Sequence, residues 1–129
     1  MRPVQRTLAA AKWHACSAVD AAAGDARLRH ITDVPGQQAV YMVKLAQAQA
    51  YLADSNAAAP YVHAEAQAMG EEPAAVAANI VALAAQWNEQ LGPLIEAARL
   101  AGKRAVNEAD DLDSVEAAEA AAVAALIAF

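Results

Sequence analysis

The side chains best suited to chemistry in this 129-residue chain are its three histidines and its single cysteine. His63-Ala64-Glu65 reproduces the H-x-E piece of the zinc deaminases. Those enzymes also need cysteine ligands from a P-C-x-x-C segment to complete the zinc site. The one cysteine here, Cys16, lies far upstream and in no such segment. His63 and Glu65 are therefore predicted to be polar positions on a short helix.

A second candidate is the pair formed by His14 and Cys16. Side chains two residues apart on a helix point in different directions, so this spacing does not make a metal or catalytic pair. A cysteine nucleophile needs a base within hydrogen-bond reach and a group that orients the base. His30 or His63 would have to be supplied by the tertiary fold. Cys16 is predicted to be a small buried thiol.

The acidic segment from Glu108 to Glu119 resembles a calcium loop only superficially. An EF-hand needs oxygen ligands at alternating positions and a glycine at the sixth. Counted from Asp111, the fifth position is Val115 and the sixth is Glu116, so the loop fails. Glycine-rich phosphate loops and G-x-S-x-G elbows do not occur either. We therefore predict no enzyme activity, no catalytic residue, no cofactor and no metal site.

The large apolar residues form a different kind of candidate site. Core packing is the usual role of an apolar stripe on a helix. On a helix otherwise rich in alanine, however, large side chains are also the anchors that a partner helix or an oligomer contacts. The residues predicted to make such protein contacts are Tyr41, Leu45, Trp87, Leu91 and Leu94.

The element that positions most of them is a long helix from Ala74 to Glu108. Pro73 suits its first turn, because the N–H that proline lacks has no helical partner there. Pro93 removes a bond to the carbonyl of Glu89 and predicts a kink. Large side chains at steps of three and four predict one apolar stripe in phase across the proline: Val76, Ile80, Leu83, Trp87, Leu91, Leu94 and Ala98.

Four further helical segments are predicted around it. The first runs from Val4 to Arg29 with a break or kink at Gly24, and the second from Gly36 to Ala53. A third starts at Pro60 and ends at Gly70 in a left-handed conformation. Thr32 or Asp33 is expected to cap the second helix, with Pro35 in its first turn. Asp113 with Glu116 has capping-box spacing and is expected to start the last helix. The apolar face of that helix is predicted to be Val115, Ala118, Ala122, Leu126 and Phe129.

No strand pattern occurs, so the predicted fold is all-α: an elongated helical bundle or hairpin of four to five helices around the kinked helix, forming one domain over residues 1–129. The chain contains 40 alanines and only 5% aromatic residues. Alanine favours helix but buries little area. We therefore expect thin, closely spaced helices that depend partly on a partner for stability.

Charge and hydropathy exclude several classes of function. A net charge of −6 argues against nucleic-acid binding, which needs a basic face. No uncharged run reaches the roughly 20 residues that span a bilayer. Arg2, Arg6 and Lys12 precede the first acidic residue, Asp20, an arrangement that can mimic a transit peptide, but a plain N-terminal helix is the preferred interpretation.

Two stretches carry a resemblance to a known group. They are VDAAAGDARLRHITDVPGQQAVYMVKLAQAQ, from Val19 to Gln49, and IEAARLAGKRAV, from Ile95 to Val106, which is followed by an acidic turn. Together they resemble small alanine-rich helical proteins encoded beside tail-fibre genes in bacteriophages and prophages. Relatives usually lack a proline in the long helix, so Gly92 and Pro93 depart from the pattern. The resemblance implies a non-enzymatic role in the tail and supplies no catalytic residues.

Two functions follow as hypotheses. The first is a structural or assembly protein of a phage tail, baseplate or tail fibre, located in the virion after assembly in the host cytoplasm. Its partners would be copies of itself and other tail or fibre proteins, with no nucleic acid and no membrane. The alternative is a small acidic regulator that blocks another protein through its carboxylates. The residues for that role would be Asp110, Asp111, Asp113, Glu116 and Glu119.

Overall fold

The computed structural model describes residues 7–31 and 36–129, and every described element is a helix. The described residues contain no strand, which confirms the all-α prediction. The helices are α1 (Leu8–Leu28), α2 (Gln37–Ala53), α3 (Pro60–Met69), α4 (Pro73–Ala85), a π-helical segment (Gln86–Leu91), α5 (Gly92–Glu108) and α6 (Leu112–Ile127). The α4 helix, the π segment and α5 follow one another without a break, which confirms one long helix.

The helices pack into two compact units. The first unit, residues 1–31 and 92–129, contains α1, α5 and α6, each packed on the other two. The second unit, residues 32–91, contains α2, α3, α4 and the π segment. Whether the two units form one domain depends on whether they fold as a single body, so the prediction of a single domain stays a prediction.

Local rules account for most helix ends. Thr7 caps α1 by accepting a hydrogen bond from the N–H of Ala10 at 3.1 Å. Gly70 ends α3 with φ of 68°, as predicted, and the N–H of Glu71 donates to the carbonyl of Ala66. The predicted helix start at Val4 and the predicted cap by Thr32, Asp33 and Pro35 lie outside the described residues.

Two local predictions were wrong. Helix α1 continues through Gly24, so the predicted break does not occur, because a single glycine costs only about 1 kcal/mol in a helix that is otherwise well packed. The alternative of a kink at Gly24 stays a prediction. Helix α6 is capped by Asp111, not Asp113: the Asp111 carboxylate accepts from the N–H of Ser114 at 2.7 Å. This bond lowers the pKa of Asp111. Asp113 instead lies in the first helical turn, where its charge favours the positive end of the helix dipole.

The apolar stripe predicted for the long helix was wrong at two positions, Leu83 and Leu94. Leu83 lies in α4, before the π segment, and is 59% exposed, because the face of α4 that packs against the core contains Val76, Ala77, Ile80 and Val81 instead. Leu94 is 56% exposed, and the buried residues of α5 are Ile95, Gly102 and Val106. The π segment explains the difference at Leu94. A π turn contains one more residue than an α turn. Counting at α-helical spacing across the π segment therefore predicts the buried position one residue too early in the chain. Widening the helix here also makes room for the ring of Pro93, which would crowd the carbonyl four residues before it.

Alanine supplies much of both cores. Among the described residues, the buried apolar side chains comprise nine alanines and seven larger residues. The larger ones are Val19, Val62, Val76, Ile95, Val106, Val115 and Leu126. Of the predicted face of α6, Val115, Ala122 and Leu126 are buried, as expected. Small side chains let the helices approach closely, and this leaves many large apolar side chains on the outside.

Candidate protein-contact surfaces

The five predicted contact residues are divided between the two units. Tyr41 and Leu45 lie on α2, and Trp87 and Leu91 lie on the π segment, so these four belong to the second unit. Leu94 lies on α5 in the first unit. Tyr41 and Leu94 are exposed, whereas the other three are half-buried. Exposure leaves Tyr41 and Leu94 available to a partner, and their role in contacts stays a prediction.

Leu45 borders a small open groove in the second unit. The groove has a volume of about 110 Å³. Ligand pockets for small molecules usually enclose about 300–1,000 Å³, so this one has room for little more than a single side chain. Its lining combines α2 with α4 and the π segment: Leu45, Gln49, Val81, Ala84, Ala85, Asn88 and Glu89.

Several exposed apolar residues were missed by the sequence analysis. Met42, Met69 and Trp13 are about 70%, 67% and 67% exposed, respectively. Across the described residues, fourteen large apolar side chains are at least 38% exposed. The positions of the alanines could have identified them. Where alanines recur at the spacing of a buried helix face, large residues at other positions on the helix are expected to face solvent.

The histidines and the cysteine make separate contacts in the part of the chain that the structure describes. Cys16 is half-buried, not buried as predicted, because it lies beside the core of the first unit, and its thiol is 3.8 Å from the side-chain oxygen of Asn107. His14 is exposed and packs edge-on against the neighbouring Trp13. Within the described ranges, no group of three His, Cys, Asp or Glu side chains could hold a metal ion.

The H-x-E piece takes part in packing between α2 and α3. Glu65 accepts a hydrogen bond from Lys44 at 3.0 Å, and His63 packs edge-on against Tyr51. The N–H of Tyr61, at the start of α3, donates to the side-chain oxygen of Gln47 at 2.8 Å. These three contacts place α3 against one face of α2.

A network of charges crosses α1 and α5 in the first unit. Arg99 donates to Glu96 at 2.6 Å and to Asp20 at 2.9 Å. Lys103 also reaches Asp20 at 3.0 Å, and Arg27 reaches Glu96 at 2.6 Å. The hydrogen bonds from Lys103 and then Arg99 lower the pKa of Asp20, and the hydrogen bond from Arg99 lowers the pKa of Glu96. The network joins α1 to α5 through side chains of opposite charge.

The pH dependence of the first unit follows from these two carboxylates. Because their pKa values are lower when folded, their stabilising effect is present above the unfolded values of 3.8 and 4.5 and is lost as the pH falls through the folded values. We expect the thermal unfolding temperature to decrease when the pH is lowered below about 4. At neutral pH, Asp20→Asn should lower the unfolding temperature, and it should also make that temperature depend less on pH. Thermal unfolding followed by circular dichroism from neutral to acidic pH measures both.

Glu108→Gln provides the control. Glu108 pairs with Arg104 one turn away on the same helix, and both side chains are mostly exposed. A pair of that kind contributes little to stability. If Glu108→Gln and Asp20→Asn shift the midpoint equally, the network between α1 and α5 does not stabilise the unit.

The acidic residues of the alternative hypothesis are partly committed to the fold. Asp111 caps α6 through one oxygen of its carboxylate, which accepts from the N–H of Ser114. Three of the other acidic residues are exposed at or near the start of α6: Asp110, Asp113 and Glu116. Glu119, further along the helix, is half-buried.

Comparisons of the chain with protein-family models, with curated proteins and with solved structures found no match. In the part of the chain that the structure describes, no helix combines the length and apolar character needed to cross a bilayer.

Proposed function

We propose that this chain is a non-enzymatic structural or assembly protein of a bacteriophage tail, baseplate or tail fibre. It acts through contacts between its helices and other proteins. Its partners are copies of itself and other tail or fibre proteins, and it is located in the virion after assembly in the host cytoplasm. The phage context rests on the resemblance of the stretches Val19–Gln49 and Ile95–Val106.

One structural observation supports a role in protein contacts. The buried positions are filled largely by alanine, while fourteen large apolar residues are exposed on the described helices. Single exposed apolar residues are common on proteins, but large side chains concentrated outside an alanine core provide anchors for protein contacts.

Mass spectrometry of purified phage particles tests this function. Under the structural form of the proposal, the chain is present in a fixed ratio to the tail proteins. Under the assembly form, the chain is absent from particles, and deletion of its gene yields particles that lack fibres or tails. A chain absent from particles, whose deletion leaves particle yield and composition unchanged, contradicts both forms.

A further inference from the structure

The second unit has one side covered by α3 and another that is open. Lys44, Gln47 and Tyr51 of α2 make the contacts with α3. Leu45 and Gln49 of α2 line the groove instead. Residues 42, 45 and 49 each lie two positions before residues 44, 47 and 51, respectively. Two positions correspond to a rotation of about 200° around a helix. The groove therefore lies on the side of α2 away from α3.

This side of the unit is almost without charge. We name it the open face and define it by Met42, Leu45 and Gln49 of α2, with Val81 and Ala85 of α4. Helix α4 contains no charged residue, and the only one in α2 is Lys44, which pairs with Glu65 of α3. Glu89, at the end of the groove, is exposed and remains hydrated at the rim of any contact.

The open face holds both parts of a complementary contact. Met42 is 70% exposed and lies about one helical turn before Leu45, which lines the groove. The groove itself, at about 110 Å³, has room for one side chain. In a two-fold contact the same patch meets itself, so a protruding side chain and a recess must lie side by side on one surface. Methionine suits such a recess because its side chain is flexible.

We infer that the open face is where a second copy of this chain docks, so that α2 and α4 of two copies pack together. The lack of charge favours a self-contact here, because a charged face that meets its own copy would place like charges opposite each other. Two copies that each carry a net charge of −6 repel one another, and an almost uncharged surface is where they can approach at the least cost. A basic partner would instead bind acidic residues, and the open face offers only Glu89 at its rim.

The size of the face sets the expected strength of the contact. Helix α2, with 17 residues, is about 25 Å long, and two adjacent helices are about 20 Å wide. The resulting area is at most about 500 Å², which is below the roughly 600–1,000 Å² that each partner buries in stable specific interfaces and is typical of weak, transient contacts. A dimer that dissociates in the micromolar range is therefore expected.

Sizing by light scattering over roughly 1 µM to 1 mM full-length protein tests the inference. The mass should rise with concentration from 13.3 kDa to twice that value. Met42→Glu should weaken the dimer by about 10- to 100-fold, because it places like charges opposite each other in a desolvated contact. Gln49→Glu, which adds a charge without changing the side-chain shape, should act in the same direction.

Met69→Glu is the matched control. Met69 is the last residue of α3 in the same unit and is 67% exposed, but it lies outside the open face. It should leave the dimer unchanged. A monomer at every concentration, a dimer that resists both open-face variants, or equal disruption by Met42→Glu and Met69→Glu overturns the inference.

The inference rests on the proposed function, since it names the partner at one contact surface, but the two fail separately. A dimer sensitive to Met42→Glu in a chain that neither enters particles nor affects their assembly leaves the inference standing and removes the phage role. A chain that is found in particles but is monomeric in solution supports the phage role and overturns the inference.

Discussion

Replacing Ile95 with alanine should lower the free energy of unfolding of the first unit by about 2–5 kcal/mol. The Ile95 side chain is fully buried, and truncating it removes apolar contacts and leaves a cavity. Small domains have only about 5–15 kcal/mol of stability, so a loss of this size brings the unit close to unfolding. Urea denaturation followed by circular dichroism should show a lower midpoint. Hydrogen exchange should show faster exchange in α1, α5 and α6.

Leu94→Ala is the matched control, because it removes a side chain of equal size from the neighbouring position. Leu94 is 56% exposed, so the change in stability should stay within about 0.5 kcal/mol. The pair also tests the effect of the π segment on the helix, since a continuous α-helix would place Leu94 on the apolar stripe and Ile95 beside it. A greater loss from Leu94→Ala than from Ile95→Ala would show that the helix keeps α-helical register through residues 86–91.

Replacing Gly102 with alanine should destabilise the first unit by about 1–3 kcal/mol, although alanine is the better helix former. A methyl group built on Gly102 would lie 2.6 Å from the methyl carbon of Ala122 on α6 and 3.2 Å from a methyl carbon of Val19 on α1. The Ala122 methyl is attached directly to the backbone and cannot rotate away. The helices must therefore move apart, which loosens the packing of all three.

The same substitution at Gly24 should have the opposite sign. Gly24 lies within α1 of the same unit, and a methyl group there would meet no atom within 4 Å. Gly24→Ala should stabilise the unit by about 0.5–1 kcal/mol through helix propensity alone. Thermal and urea unfolding of the two variants, measured side by side, give the comparison. Stabilisation by both substitutions would mean that α5 and α6 do not approach closely at Gly102.

The contact surfaces were only partly predictable from sequence. Leu45 was identified because it follows the helical spacing of large residues, and it does border the groove. Met42 was missed because it lies off that spacing, although it is far more exposed. Periodicity identifies residues that share a face, but it does not say which face another helix covers.

The sequence by itself determined the helices and most of their ends. Pro60, Gly70 and Pro73 act within one helical turn through backbone geometry and missing or free N–H groups, so their effects are independent of the rest of the fold. The tertiary structure decided which side chains are buried. Ile95 rather than Leu94 is buried beyond the π segment, and α6 approaches α5 at Gly102. In a chain with 40 alanines, several faces of each helix are apolar enough to pack, and only the approach of the other helices selects one.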